Sequence, residues 1–138
     1  MSSGVGLDDE CVEKFQELKL GKKIKYIIYK LDNPSKPTKI VVGNSSESQE
    51  YDDFLEQFTD TECCYAVYDF QYNLGEGERN KICFFIWAPD TASIKQKMVY
   101  ASSKDVLKRA LVGLSADIQG TDASEISYEA VLDKVTRK

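Results

Sequence analysis

Histidine is absent from this 138-residue chain, proline occurs three times and tryptophan once. Without histidine the commonest general base is missing, a zinc shell lacks its imidazole ligands, and no side chain has an ordinary pKa near neutrality. Cysteine is scarce too. Cys11, Cys63, Cys64 and Cys83 form no C-x-x-C pair, which excludes the usual zinc and redox spacings. They read as reduced structural thiols, with Cys63 and Cys83 packing as small hydrophobes in strand-like runs. Long apolar runs are also missing: the longest, ICFFIWA, is cut by Pro89 and Asp90, far short of the roughly 18 residues of a membrane span. The opening MSSGVGLDDE lacks the basic and apolar segments of a secretory signal, so a soluble intracellular protein is expected.

Catalytic signatures are missing in the same way. No G-x-x-x-x-G-K-[ST] loop occurs, and LGEGERNK lies between two strand-like runs, where a phosphate cradle needs a following helix. The clustered acids Asp8, Asp9 and Glu10, and Asp52 and Asp53, suit helix starts better than acid–base pairs. Neither an enzyme nor a cofactor or metal is expected. The charge is -5, from 23 acidic and 18 basic residues, so the overall field disfavours nucleic acid and confines any polyanion site to a local patch.

What is present reads as alternating helices and hairpins. Asp8 and Asp9 cap a helix carrying Cys11, Phe15 and Leu18 at helical spacing, ended by Gly21. KIKYIIYKL and TKIVV flank the DNPSKP turn as a hairpin. SSESQE is a polar loop, and YDDFLEQF a short helix. CCYAVYDFQYN and KICFFIWA form a second hairpin through the LGEGER connection, and the unbroken apolar character of CFFIWA predicts a strand covered on both faces. Pro89 ends that strand, and Asp90 or Thr91 starts a long helix. ADIQGT is a short strand, and DASE has capping-box spacing for a last helix through Tyr128, Val131, Leu132 and Val135. The order predicts an α/β (α+β) fold with a central mixed sheet between helices. Residues 1–6 read as a flexible tail and 7–138 as one domain.

The long helix, IKQKMVYASSKDVLKRAL, carries five basic side chains and one acidic one. At about 100° per residue, Ala92, Val99, Tyr100, Ser103, Val106, Leu107, Ala110, Leu111 and Leu114 share one side, which should face the core. The opposite side holds Ile94, Lys97, Met98, Ala101, Lys104, Asp105, Lys108 and Arg109, with Lys95 near the boundary. Burying several ammonium groups costs several kcal/mol each, so that side is expected to be wet. An apolar strip of Ile94, Met98 and Ala101 among cations suits insertion into a partner's groove with an acidic rim.

Three stretches, the N-terminal SGV, YAVYDF and WAPDTASIKQKMVYASSKDVLKRAL, resemble the ADF/cofilin family of actin-depolymerising proteins, nearest its compact yeast type. The likeness runs from Ser3 through YEAVLDKVTRK. The resemblance implies the ADF-homology, gelsolin-like fold with a sheet of five to six strands. It implies a non-catalytic protein, monomeric itself, that binds actin monomers and filament sides, favours the ADP state, alters filament twist, and severs and depolymerises filaments. Carried over by position, it places monomer and filament contacts at Ser3, Gly4, Val5, Ile94, Lys95, Lys97, Met98, Lys104 and Asp105. A filament-only surface is implied at Arg79, Lys81, Asp133, Lys134 and Arg137, with Glu78 where some relatives carry a basic residue. Ser3 matches the family's phosphorylation position, with Ser2 as the other acceptor. Lys104, Lys108 and Arg109 match a phosphoinositide site that competes with actin, to which Lys22, Lys23 and Lys25 would add charge. The implied location is the cytoplasm and its actin cytoskeleton, with the nucleus left open because LGKKIK is a poor import signal. The alternatives are a non-severing filament binder of the same fold and a phosphoinositide-responsive signalling module.

Overall fold

The computed structural model describes residues 5–136 apart from 22, 34, 35, 74 and 76. One six-stranded mixed sheet runs through the molecule in the order β1-β3-β2-β4-β5-β6. Its strands are β1 (Gly6–Leu7), β2 (Tyr26–Leu31), β3 (Lys39–Ser46), β4 (Cys64–Asn73), β5 (Glu78–Trp87) and β6 (Ala116–Gly120). Four α-helices accompany it: α1 (Asp9–Lys19), α2 (Tyr51–Leu55), α3 (Ile94–Ala110) and α4 (Tyr128–Thr136), the last preceded by a 3-10 turn at Ala123–Ile126.

Strand alternation divides the apolar residues between two layers. In β4, Tyr65 and Val67 enter one cluster, while Cys64, Ala66, Tyr68, Phe70 and Tyr72 enter the other. In β5, Phe84 faces the first cluster, and Cys83, Phe85 and Trp87 face the second. Both strands are therefore covered on two sides, as the CFFIWA run predicts. The first cluster is closed by Phe15 and Leu18 of α1 and by Tyr100, Leu107 and Leu111 at and beyond α3. The second is closed by Phe54 of α2, Ile126, and Val131 and Val135 of α4.

The sheet differs from the sequence reading in identifiable places. Val5 is 7% exposed and Gly6–Leu7 pairs in parallel with Lys39 and Ile40, so the order expected to begin at residue 7 already begins at Val5. Residues 1–4 lie outside the described residues. β3 continues through Ser46 because it pairs with β2 as far as Tyr26, absorbing the start of the expected SSESQE loop. β5 begins at Glu78, opposite Asn73, so Glu78 and Arg79 belong to the strand and not to the connection. Gly75 and Gly77 adopt φ of 92° and 106°, the left-handed geometry this tight return needs.

Helix starts account for the other differences. Neither Asp90 nor Thr91 caps α3; Ser93 does, its Oγ accepting from the Gln96 amide at 3.1 Å. Asp122 caps the 3-10 turn, accepting from the amides of Ser124 and Glu125, and α4 starts later, after Ser127. Glu125 accepts from the amide and hydroxyl of Thr121 instead of completing a capping box. Asp8 stands at the start of α1 but makes no side-chain cap; its carboxylate lies 3.7 Å from Lys39 Nζ. All four cysteines are free and buried, as read from their spacing, and burial raises each thiol's pKa, that of Cys63 to about 11.

Candidate functional site

Helix α3 lies against the first apolar cluster because one of its sides is aliphatic and aromatic over its whole length. Ala92, Tyr100, Ser103, Leu107 and Leu111 are buried, and Val99, Val106, Ala110 and Leu114 are half-buried. Every residue assigned to the inner side by helical arithmetic is thus covered. Polar bonds fix the rotation. Tyr100 Oη accepts from the Leu31 amide at 3.0 Å, and Tyr65 Oη donates to the Tyr100 carbonyl. At the first turn, Gln96 Oε1 accepts from the Cys63 amide. Neither Ser93 nor Gln96 is singled out by the sequence reading, although Ser93-Ile-Lys-Gln96 has S-x-x-Q capping spacing.

With the inner side anchored, the outer side is left open. Ile94 is 76% exposed and Met98 65% exposed, the two largest apolar residues presented by α3. Ala101, Asp105 and Arg109 continue the exposed strip, and Lys95 is exposed at its start. Lys97 is half-buried and donates from Nζ to the Asp90 carbonyl at 3.1 Å. The first turn contains no acid and two lysines, against the usual preference of a helix N-terminus for negative charge. The partial positive charge of the helix start adds to Lys95 and Lys97 beside Ile94 and Met98. An apolar knob inside positive potential is complementary to an apolar groove with an acidic rim. Local preferences are commonly violated where function demands it.

The far end of α3 is less open than the wheel alone implies. Lys104 is half-buried, and Arg109 Nε folds back to the Asp105 carbonyl at 3.3 Å. Lys108, expected on the wet side, forms an ion pair with Asp117 of β6 and sits 5.9 Å from the Phe84 ring centre. Within the expected headgroup site, Lys108 is thus engaged by a carboxylate of the same chain. Of the lysines thought to add charge there, Lys25 is 6% exposed and lies over the Tyr68 ring, while Lys23 is exposed; Lys22 lies outside the described residues.

At the chain's start, Val5 is buried in the same cluster as α3, and β1 runs beside that helix. This is the side on which the resemblance expects Ser3, Gly4 and Val5; Ser3 and Gly4 lie outside the described residues. Two elements that carry the second expected surface are tied to each other. Lys81 Nζ donates to the Val135 carbonyl at 2.7 Å, tying β5 to the last turn of α4. Arg79 is exposed on β5, and Asp133 and Lys134 are exposed on α4. Arg137 lies outside the described residues. Among the described residues no group of three or more metal-ligating side chains converges, and no helix is long and apolar enough to cross a membrane.

Comparison with known proteins covers nearly the whole chain. Residues 4–136 match the family model described as cofilin/tropomyosin-type actin-binding protein. The chain is 65% identical over 138 residues to cofilin of Mycosarcoma maydis, covering 99% of this chain and 98% of that one. It is 53% identical over 137 residues to cofilin of Saccharomyces cerevisiae, covering 98% and 94% respectively. The crystal structure of Streptomyces griseoflavus cofilin superposes with a TM-score of 0.92 at 55% identity, covering 97% of this chain and 98% of that one. The six-stranded sheet, the exposed start of α3 and these likenesses lead to one conclusion: the chain belongs to the cofilin/tropomyosin-type family of actin-binding proteins.

Proposed function

We propose that this protein binds ADP-actin monomers and the sides of actin filaments, and that filament binding changes twist, severs and depolymerises. The observation that carries the reading is the α3 start, where Ile94 and Met98 stand 76% and 65% exposed beside Lys95 and Lys97. Insertion of these side chains into a cleft of actin removes apolar surface from water while the lysines meet acidic groups. Lys104 and Asp105 extend the contact along the helix, and Val5 with the residues before it flanks it. A second contact, through Arg79, Lys81, Asp133, Lys134 and Arg137, engages a neighbouring subunit. Two contacts on two subunits convert binding energy into filament strain, because a ligand shifts geometry only by as much as it prefers the altered state. No covalent chemistry is involved.

The same side of the molecule is the proposed point of control. A phosphate on Ser3 adds about -1.5 to -2 charges beside a contact that works through positive potential, and weakens it. Multiply charged phosphoinositides compete through Lys104 and Arg109, with Lys108 joining only if it leaves Asp117. The site of action is the cytoplasmic actin cytoskeleton. Pelleting with actin filaments, followed by measurement of short filaments left in the supernatant, tests the reading. The parent chain is expected to co-sediment and generate short filaments, and Lys95→Ala with Lys97→Ala to lose monomer binding with an unchanged circular dichroism spectrum. Co-sedimentation without shortening favours a coating protein, and no binding at all overturns the proposal.

A further inference from the structure

Next to the start of α3 the fold leaves an apolar groove of about 340 Å3. Trp87 and Ile126, both buried, line its depth together with the half-buried Leu55 and Phe58. Three exposed carboxylates border it, each from a different connection: Asp60 between α2 and β4, Asp90 between β5 and α3, and Asp122 between β6 and α4. Asp60 and Asp90 make no ion pair and no side-chain hydrogen bond among the described residues. Glu125, bonded to Thr121 on the same rim, adds a fourth negative charge. Against these stands Lys97, whose Nζ donates to the Asp90 carbonyl at 3.1 Å, so the rim as a whole is negative.

The banks of the groove are tied to one another. Trp87 Nε1 donates to the Thr59 carbonyl at 2.7 Å, and the Thr91 hydroxyl donates to the Asp60 carbonyl, fastening the α2–β4 connection to the end of β5 and to the approach to α3. The Ala88 amide donates to the Gly120 carbonyl at 3.0 Å and fastens the third bank. Phe58 lies 5.4 Å from the Trp87 indole, centroid to centroid. Asp122 accepts from the hydroxyl and amide of Ser124 and from the Glu125 amide, which hold its carboxyl below the usual value and keep it ionised at neutral pH. A groove built in advance limits the ordering cost of binding.

We propose that this groove docks a basic segment of a partner protein, in which one apolar side chain seats against Trp87 and Ile126 while flanking lysine or arginine side chains meet Asp60, Asp90 and Asp122. The depth selects an apolar group, because a polar one would lose its water against indole, phenyl and aliphatic surface without gaining partners. The rim selects cations on more than one side of that group, because its carboxylates stand on three separate connections. A peptide with basic residues on both sides of an apolar plug meets that demand, and a compact amine with one charge does not. The outer strip of α3 asks for the opposite charge, since its lysines suit an acidic partner, so the two surfaces take different ligands. One seated side chain and exposed ion pairs give weak engagement, on the order of 0.1–1 mM for a short peptide.

The test is a fluorescence titration of the full chain at physiological salt, excited beyond tyrosine absorption so that Trp87, the chain's one tryptophan, reports alone. The probe is the capped tripeptide lysine-phenylalanine-lysine. A saturable change in Trp87 emission is expected, with NMR shifts at the Trp87 indole N–H and the Ala123 amide on the rim. Capped glutamate-phenylalanine-glutamate and lysine-serine-lysine are expected to bind at least about tenfold more weakly, each lacking half of the recognition. Asp60→Asn with Asp90→Asn is expected to weaken the probe about fivefold or more. Ala123→Arg, which puts a cation on the rim, is expected to do the same, and all three positions are exposed, so the fold is kept. Phenethylamine binding as tightly as the tripeptide assigns the groove to a small amine, and an emission change driven by protein concentration alone assigns it to a second copy of the chain. Either result overturns the proposal, as do the absence of a saturable change, equal binding of the glutamate peptide, or unchanged affinity in the folded variants.

Discussion

The double substitution Ile94→Ala with Met98→Ala separates a docking strip from a structural one. Each truncation removes about three carbon-sized units worth about 0.8 kcal/mol apiece when fully buried. Scaled by the 76% and 65% of these side chains still exposed, complete coverage by a partner is worth about 1.8 and 1.6 kcal/mol. The sum, about 3.4 kcal/mol, corresponds to about 300-fold in affinity. Folding should respond in the opposite sense. Exposed substitutions stay within about 0.5 kcal/mol of neutral, and Ile to Ala gains a few tenths of a kcal/mol in helix propensity. Truncating two such residues in a core would instead cost about 2–5 kcal/mol each. The assay pairs titration of fluorescently labelled monomeric actin with a thermal melt of the free protein. A large loss of affinity at an unchanged or slightly raised Tm is expected. A loss smaller than about tenfold, or a Tm fall of more than about 10 °C, refutes the reasoning.

Other residues give sharp expectations. Lys81→Ala removes the bond to the Val135 carbonyl and should cost about 0.5–1.5 kcal/mol in a denaturant melt as well as filament binding; filament binding lost at unchanged stability would show that the tie between β5 and α4 carries no weight. Gly120→Ala places a Cβ 2.7 Å from Ile126 Cγ2 and 3.2 Å from the Trp87 ring, and should cost about 1–3 kcal/mol with a change in fluorescence of the chain's one tryptophan. An unperturbed emission spectrum and melt would contradict that packing. Stability against pH should be flat between about pH 6 and 8, where no histidine titrates. Cys63 is raised from 9.0 to about 11 and Cys11 and Cys83 from 9.0 to about 12, so their contribution is complete below about pH 9 and is lost as pH climbs through those values. Lys25, held below 10.5 by burial, opposes part of that loss as it becomes neutral. The lowered carboxyls of Asp122 and Glu125 contribute above the ordinary values of 3.8 and 4.5 and cease to as pH falls below them. A step in Tm between pH 6 and 8 would contradict this assignment.

The legible parts of the chain are those in which a repeating pattern carries the information. The two-sidedness of α3 follows from residue spacing alone, and each of its nine inward assignments is covered in the fold. The same holds for β5, whose continuous apolar run specifies a strand buried on both faces before any partner strand is known. Boundaries were less legible. Asp90 and Thr91 follow Pro89 and look like caps, but Ser93 takes that role, because the Thr91 hydroxyl instead donates to the Asp60 carbonyl, on the α2–β4 connection. The capping-box spacing at Asp122 is real, yet it starts a 3-10 turn, because Glu125 turns to Thr121.

Sequence by itself determined the layered class, the inner and outer sides of the long helix, and the absence of histidine, since all of these depend on residue type and short-range period. Only the tertiary structure decided which cations remain available. Lys108 pairs with Asp117 nine residues away, Lys81 reaches Val135 across 54 positions, and Lys25 lies over the Tyr68 ring. The tertiary structure also added β1, whose two residues carry no strand pattern and exist because Gly6–Leu7 finds an open edge at Lys39 and Ile40. Hydrogen bonds and charges act across space, and a helical wheel or an alternation of polar and apolar residues contains no distance between elements.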